Sequence, residues 1–429
     1  MRLFSHQSTF ASFRQPGFKP FYVHSAFAAV DMNVRMAVHG WLVLELSGDS
    51  EFWVGIYALV LGGGQLLFSS FAGALADRFQ RRDVLLIEGV LGASLAVFAA
   101  AAVYFDVMEL WMAIGMAFFV GCLRATRFTA TNRFVYDLVG PERLVNGVSL
   151  WRIANTPVMI AGSILAGAMI DWVGIWAAYT LIACSLIVSL PFLLLIGVKG
   201  VTEETGGRLI RQTIDGLKYA SSNASLRTLF TVSIVMEFLG FSFLVMVPVM
   251  AKNVLDAGGL GLGYINAGVG VGMFVATLLM AAVGDRHNKQ RIIVYYAFLA
   301  GLALIGFALS PALPYSLAFA VLFAGAVMGF LNVYDLTLGV LLQLAAPSNM
   351  RGRAVSLHSL AISFTAVGGF FIGGLGSVVT VPVMLAAAGA GIIVNSVWRR
   401  SAVLRIREFE GQAELVDTQD PERDNTLAG

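Results

Sequence analysis

Long apolar runs set the terms for this chain. Between short charged or Gly/Pro-rich breaks, they occupy residues 20–44, 52–76, 84–105, 109–132, 147–171 and 174–197. A second set follows at 226–251, 262–284, 291–310, 314–341, 354–377 and 380–398. Each run is close to the roughly 20 residues that carry an α-helix across the hydrocarbon core of a bilayer. Barrel strands use alternating segments of only about ten residues, so these runs exclude a transmembrane barrel. Composition agrees: 58% of the 429 residues are apolar and 13% are charged, against about 45–50% and 25% in soluble domains. The fold class expected is an all-α integral membrane protein with twelve transmembrane helices.

Little chain is left over for anything else. The predicted division is an N-terminal tail (1–19), a six-helix bundle (20–197), a linker (198–225), a second six-helix bundle (226–398) and a C-terminal tail (399–429). No removable signal segment is expected, because Arg2, Arg14 and Lys19 precede the first span without a short apolar core and cleavage site. Cys122 and Cys184 both lie in apolar stretches, which excludes a disulfide framework and a Cys-based zinc site. A net charge of +2 argues against a nucleic-acid partner. No G-x-x-x-x-G-K-[ST] phosphate loop occurs, so no use of ATP is expected. H-E-x-x-H, C-x-x-C and G-x-S-x-G are also missing. Histidines 6, 24, 39, 287 and 358 lack ligand spacing, and hydrogen-bonded packing is expected for His39 and His358. The chain is therefore expected to be no enzyme and to hold no metal or cofactor.

Lys and Arg fix the orientation. With the N-terminus inside, inner tails, loops and span edges hold 23 of the 28 basic residues, and the outer loops hold Lys252 alone. The remaining four, Arg35, Arg124, Arg127 and Arg152, lie within spans. Asp49, Glu51, Asp106 and Glu109 sit outside, as a rule counting only basic residues allows. Both termini are expected in the cytoplasm. In the linker, Ile210, Ile214 and Leu217 form an apolar stripe opposite Arg211, Asp215 and Lys218. That pattern suits a short helix on the inner leaflet, and a solvated linker helix suits it equally. The polar segment from Arg405 to Gly429 has the composition of a disordered tail.

The sequence also repeats itself. Gly55, Gly62 and Gly64 recur 208 residues later as Gly263, Gly270 and Gly272, and Asp77-Arg78 recurs as Asp285-Arg286. Arg81 maps onto Lys289, Val148-Ser149-Leu150 onto Val355-Ser356-Leu357, and Pro141 onto Pro347. The matches keep their order and fall at equivalent span boundaries, which predicts two homologous six-helix halves in parallel orientation.

After the second span the chain reads Gly73-Ala74-Leu75-Ala76-Asp77-Arg78-Phe79-Gln80-Arg81-Arg82. This resembles the G-x-L-a-D-r-x-G-r-R/K signature of the major facilitator superfamily, with Gln80 where that pattern usually has Gly. WLVLELSGDSEFWVG, LVNGVSLWRIANT, GLKYASSNASLR and NMRGRAVSL are similar to the drug- and siderophore-exporting branch of bacterial facilitators, enterobactin-exporter-like proteins among them. The resemblance covers about 15–400. It implies a monomeric secondary transporter of the bacterial inner membrane, working on a small-molecule substrate and a proton gradient. It also implies that spans one, four, seven and ten line a central cavity.

A charge at the bilayer centre costs at least about 2.5–3.5 kcal/mol, which makes each one a functional candidate. Asp31 lies about 17 Å into the first span, and Glu237 lies at similar depth in the seventh, 206 residues later. Asp31, Arg35 and His39 share one helix face. Either acid could carry a proton as access alternates, or contact a cationic substrate. Alternatively Asp31 and Arg35 simply neutralise each other. Arg124 and Arg127 map by the 208 offset onto Asn332 and Asp335, so Asp31, Arg124, Glu237 and Asp335 fall one on each cavity-lining span. Glu88 and Arg152, near inner span ends, read as interfacial or gate charges that snorkel.

For the cytoplasmic gate the expected set is Gly73, Asp77, Arg78, Arg81 and Arg82, with Asp285, Arg286 and Lys289 as a weaker copy. A carboxylate just past one helix can bond the N-terminal end of a neighbour and pair with arginine when the inner mouth closes. Two departures from the superfamily patterns bear on antiport. Gly162-Ser163-Ile164-Leu165-Ala166-Gly167 lacks the proline of G-x-x-x-G-P-x-x-G-G, and Arg124-Ala125-Thr126-Arg127-Phe128 does not match R-x-x-Q-G. Clusters such as Gly368-Gly369 read as close helix packing. The function expected is proton-coupled export of a small amphipathic molecule. Import or facilitated passage of a nutrient, lipid translocation and a non-transporting sensor are the alternatives on the same fold.

Overall fold

The computed structural model describes residues 11–198, 223–283, 288–346, 357–358 and 360–406, without the side chains at 11, 70, 74, 76, 77, 141, 145, 149, 152–154 and 281–283. All regular structure among them is helical. The first set is α1 (Phe18–Leu46), α2 (Glu51–Arg78), α3 (Arg81–Tyr104), α4 (Leu110–Val139), α5 (Leu144–Trp172) and α6 (Ile175–Leu194). The second is α7 (Ala224–Val254), α8 (Gly258–Val283), α9 (Lys289–Leu309), α10 (Ser316–Leu344), α11 (Leu360–Gly376) and α12 (Val381–Leu404). Among the described residues, nine helices are long and apolar enough to cross a membrane. α1 has 29 residues, but Asp31, Arg35, His24 and His39 dilute its apolar character.

Helix ends follow local chemistry. Asn223 caps α7 by accepting from the Ser225 and Leu226 amides, and Asn288 caps α9 by accepting from the Arg291 amide. α7 is not uniform: Met236–Phe241 and Met250–Val254 are π-helical, flanking an α-helical turn at Phe243–Val249. α12 runs on to Leu404 through Arg399 and Arg400, beyond the boundary expected at 398. The linker helix expected over Ile210–Leu217 and the tail from 407 lie outside the described residues.

Within the first half α2 packs on α4, α3 on α6, and α1 on α5 and α6; within the second, α8 packs on α10 and α9 on α10 and α12. Across the halves the main contacts are α5 with α8 and α2 with α11. The repeated glycines occupy equivalent places in this arrangement. A Cβ on Gly55 would lie 3.1 Å from the Phe370 backbone of α11, and one on Gly263 would lie 2.7 Å from the Ser163 carbonyl of α5. Gly62 likewise meets Ala366 of α11, and Gly270 meets Ile160 of α5. Gly64 and Gly272 instead face their own halves, against Phe118 of α4 and Gly325 of α10. Small residues let membrane helices approach closely enough for backbone contact, so the sequence repeat is also a packing repeat. Gly368, set against the Phe238 carbonyl, is part of the same close packing.

Polar contacts between the halves gather at the end that the Lys/Arg distribution assigns outward. The Asp171 carboxylate, at the end of α5, accepts from the Gly259 and Leu260 amides of α8 at 2.6 and 2.8 Å. Lys252 pairs with Asp49 at 2.7 Å and lies 5.5 Å from the Trp41 ring. Asn253 donates to the Asp49 carbonyl (2.8 Å) and to Glu51 (3.2 Å).

Candidate substrate-translocation site

The first half contains a closed set of charges. One turn apart on α1, Arg35 Nε donates to Asp31 Oδ1 at 2.5 Å, and Arg35 Nη2 reaches the Gly92 carbonyl of α3 at 3.0 Å. Arg127, from α4, donates through Nη1 to Asp31 Oδ2 at 2.8 Å and to the Ala28 carbonyl at 3.2 Å. Its Nε and Nη2 face the Glu88 carboxylate at 2.9 and 2.8 Å. Two carboxylates and two guanidinium groups therefore neutralise one another inside the bundle, with Asp31 8% and Glu88 4% exposed. Gly92 lines the set: a Cβ there would be in ordinary contact with Arg127 Nη2 (3.8 Å) and Glu88 Oε1 (3.9 Å).

Of the readings open for Asp31, mutual neutralisation with Arg35 is the one present, and Arg127 extends it. Glu88, by contrast, is no interfacial snorkelling charge. It is buried on α3, and its reach to Arg127 needs a helix that sequence reading did not assign to the cavity. The available signal was the count of intramembrane charges, which offers a carboxylate for each of two arginines. The Arg152 side chain lies outside the described residues.

Arg124 stands apart from this set. It sits midway along the 30-residue α4, half-buried, and forms no hydrogen bond or ion pair among the described residues. Tyr57, on α2, is buried. Tyr57 is itself held by His39, stacked at 5.0 Å between ring centroids. His39 has the packing role expected of it, bonded to the Ala113 carbonyl at 2.9 Å and the Tyr179 hydroxyl at 2.7 Å. The repeat image of Arg124 behaves differently. Asn332 packs into α8, donating to Thr277 Oγ1 (3.0 Å) and the Met273 carbonyl (3.2 Å).

In the second half, Glu237 lies in the first π-helical stretch of α7 and is 4% exposed. Thr365 of α11 donates its hydroxyl to Glu237 Oε2 at 2.5 Å. Asp335 of α10 meets His358 Nε2 at 3.2 Å, and the neighbouring Tyr334 hydroxyl is buried without a partner among the described residues. No Lys or Arg pairs with either acid among the described residues. Thr365 and the pairing of His358 were not anticipated. Nothing in the linear sequence marks a lone threonine or histidine as the neighbour of an acid on another helix.

At the expected inner gate, Arg81 is 4% exposed and its Nη1 lies 2.5 Å from both carboxylate oxygens of Asp137 in α4. Arg82 donates to the Ile196 carbonyl at 3.0 Å and to Asp83 at 3.2 Å. Arg78 is exposed, 6.0 Å above the Phe79 ring. Gly73 is buried within α2. The Asp77 side chain and all of Asp285 and Arg286 lie outside the described residues. The carboxylate that engages Arg81 is thus Asp137, a residue not singled out from sequence.

Residues 7–427 match the family model described as transmembrane secretion effector, within the major facilitator superfamily. The chain belongs to that family. Like the other major facilitators, it is a multi-pass membrane transporter of small molecules. It is similar to the enterobactin exporter EntS of Shigella flexneri, 23% identical over 423 residues that cover 92% of this chain and 96% of the relative. The corresponding protein of Escherichia coli O1:K1 / APEC is 23% identical over 429 residues, with the same coverage. Solved structures share the fold. A variant of the nucleoside transporter NupG superposes with a TM-score of 0.75 at 13% identity, covering 91% of this chain and all of that one. A bacterial homolog of the human lysosomal transporter Spinster, inward-facing and unoccupied, gives 0.69 at 13% identity over 91% and 97% of the two chains.

Proposed function

We propose that this transporter exports a small amphipathic molecule from the cytoplasm in exchange for protons. In this reading twelve helices cross the bacterial inner membrane with both ends of the chain inside, and the halves 20–197 and 226–398 rock about one central site. ATP plays no part, and a single copy suffices.

One observation carries the coupling assignment: the two halves neutralise their intramembrane acids by different means. Asp31 and Glu88 are balanced by Arg35 and Arg127, an arrangement that needs no proton. Among the described residues, the buried Glu237 has only the Thr365 hydroxyl beside it, and the partly exposed Asp335 has only His358. An unpaired buried carboxylate is expensive, and a proton is the simplest charge that can relieve it and later leave. Coupling is therefore assigned to Glu237, Asp335 and His358, with Asp31, Arg35 and Arg127 as the rigid frame of the first half. The relatives that export enterobactin support an outward direction. Arg81 and Asp137 brace the inner end of the first half beside the Asp77 segment, which forms the inner gate, while Asp171 and Lys252 hold the outer one.

The test is uptake into inverted membrane vesicles energised by respiration, with lipophilic cationic dyes, catecholate chelators and organic acids as cargo. One class should accumulate, and a protonophore should abolish it. Glu237→Gln should lose gradient-driven accumulation while keeping exchange of preloaded cargo. Full accumulation by a Glu237→Gln/Asp335→Asn chain would move coupling elsewhere, and no movement of any class would end the exporter reading.

A further inference from the structure

We infer that Arg124 is a binding site for an anionic group of the cargo, a planar oxyanion such as a carboxylate. The inference rests on the transporter reading above and deepens it by naming the charge of the substrate.

Arg124 has no protein partner among the described residues. Every other described arginine in the interior of the first half is matched: Arg35 by Asp31, and Arg127 by Asp31 and Glu88. Those two carboxylates are fully engaged, so neither is free for Arg124. Arg124 is only partly buried, and none of its nitrogens is among the sealed, unpartnered polar atoms, which leaves the guanidinium accessible to a ligand. It sits midway along α4, inside a helix long and apolar enough to cross the membrane, where an unpaired charge is costly. Fold symmetry does not explain it, because the repeat image Asn332 is used for packing against α8. An arginine held in the bilayer without a protein partner is best accounted for by a partner that comes and goes.

The surroundings favour a flat anion with an apolar body. Arginine presents a planar fork that grips a carboxylate through two parallel hydrogen bonds. A cationic cargo would meet repulsion from Arg124 with no free carboxylate near it in this half.

The experiment uses the purified full chain in detergent and three probes sharing one ring system: naphthoate, naphthamide and a naphthylammonium. Thermal unfolding is followed against probe concentration, so detergent partitioning of the ring is common to all three. Naphthoate should stabilise the wild type at concentrations about tenfold or more below naphthamide, as one charge-assisted hydrogen-bonded pair implies. Arg124→Gln should erase the difference, and Arg124→Lys should keep part of it. A second measurement needs no variant: phenylglyoxal modification of Arg124, read by mass spectrometry, should be slowed by naphthoate and not by naphthamide. Equal effects of acid and amide, a preference for the ammonium, no effect of any probe, or an Arg124→Gln chain that still prefers naphthoate would each overturn the inference. Accumulation of a neutral cargo in vesicles without anion protection would overturn it and leave the exporter reading intact. Anion protection in a chain that moves nothing would do the reverse.

Discussion

The Asp171 carboxylate of α5 spans the two halves to accept the Gly259 and Leu260 amides at the first turn of α8. A helix N-terminus favours negative charge there, and hydrogen bonds to a charged group contribute about 1.5–3 kcal/mol each. Outward opening must break both. Asp171→Asn, which keeps the shape and removes the charge, should therefore shift the population toward an open outer end by roughly 1–2 kcal/mol. Spin labels at Val107 and Ala312, on outer connections of the two halves, would report this as added weight at longer distances. An unchanged distribution would mean that the contact is incidental.

Steric closure at the same end depends on glycine. A Cβ on Gly167 would collide with the Gly259 carbonyl, and overpacking of this kind costs about 1–3 kcal/mol. Gly167→Leu should hold α5 and α8 apart and slow transport by about tenfold or more. The protein should still reach the membrane in normal amount, with cysteine reagents entering from outside more readily. Wild-type turnover in this variant would show that α5 and α8 separate by some other route.

The four-charge set of the first half should behave as a unit. Arg127→Met strands Glu88 and half of Asp31, and breaking a buried pair from one side costs about 3–5 kcal/mol. Adding Glu88→Gln should recover most of that loss in thermal unfolding of the detergent-solubilised chain. A double variant no more stable than the single one would show that Arg127 acts through something other than these carboxylates.

Arg81 and Asp137 invite a charge exchange. Either single neutralisation should lower stability by about 2–3 kcal/mol and slow transport. Arg81→Asp combined with Asp137→Arg should restore part of both, since the pair is buried and close. Failure of the exchange, with both proteins folded, would place the importance of Arg81 in its geometry rather than its charge.

Much of the architecture was legible because membrane insertion writes itself into composition. The run from 174 to 197 became α6 within a few residues, and the glycines repeated at 208 residues proved to be equivalent contacts. Pairing between helices was less accessible. Arg35 reached Asp31 as a four-residue spacing allows, but Arg127 to Glu88 and Arg81 to Asp137 join different helices, and no local pattern encodes them. Glu88 lies near a span end, as a snorkelling charge would, and that position does not reveal which face of α3 its side chain occupies. Glu237 and Asp335 were visible as isolated intramembrane acids, whereas Thr365 and His358 became meaningful only once α10 and α11 stood beside α7.

The winding of α7 has a mechanical consequence. Each π-helical stretch holds a residue of slack relative to an α-helix, and taking up one residue turns the two flanking segments by about 100° with respect to each other. Glu237 rides on the first of these stretches. The seventh helix can thus work as a cam, swinging its carboxylate from the Thr365 hydroxyl toward another face by rewinding locally, while the rest of the half keeps its shape.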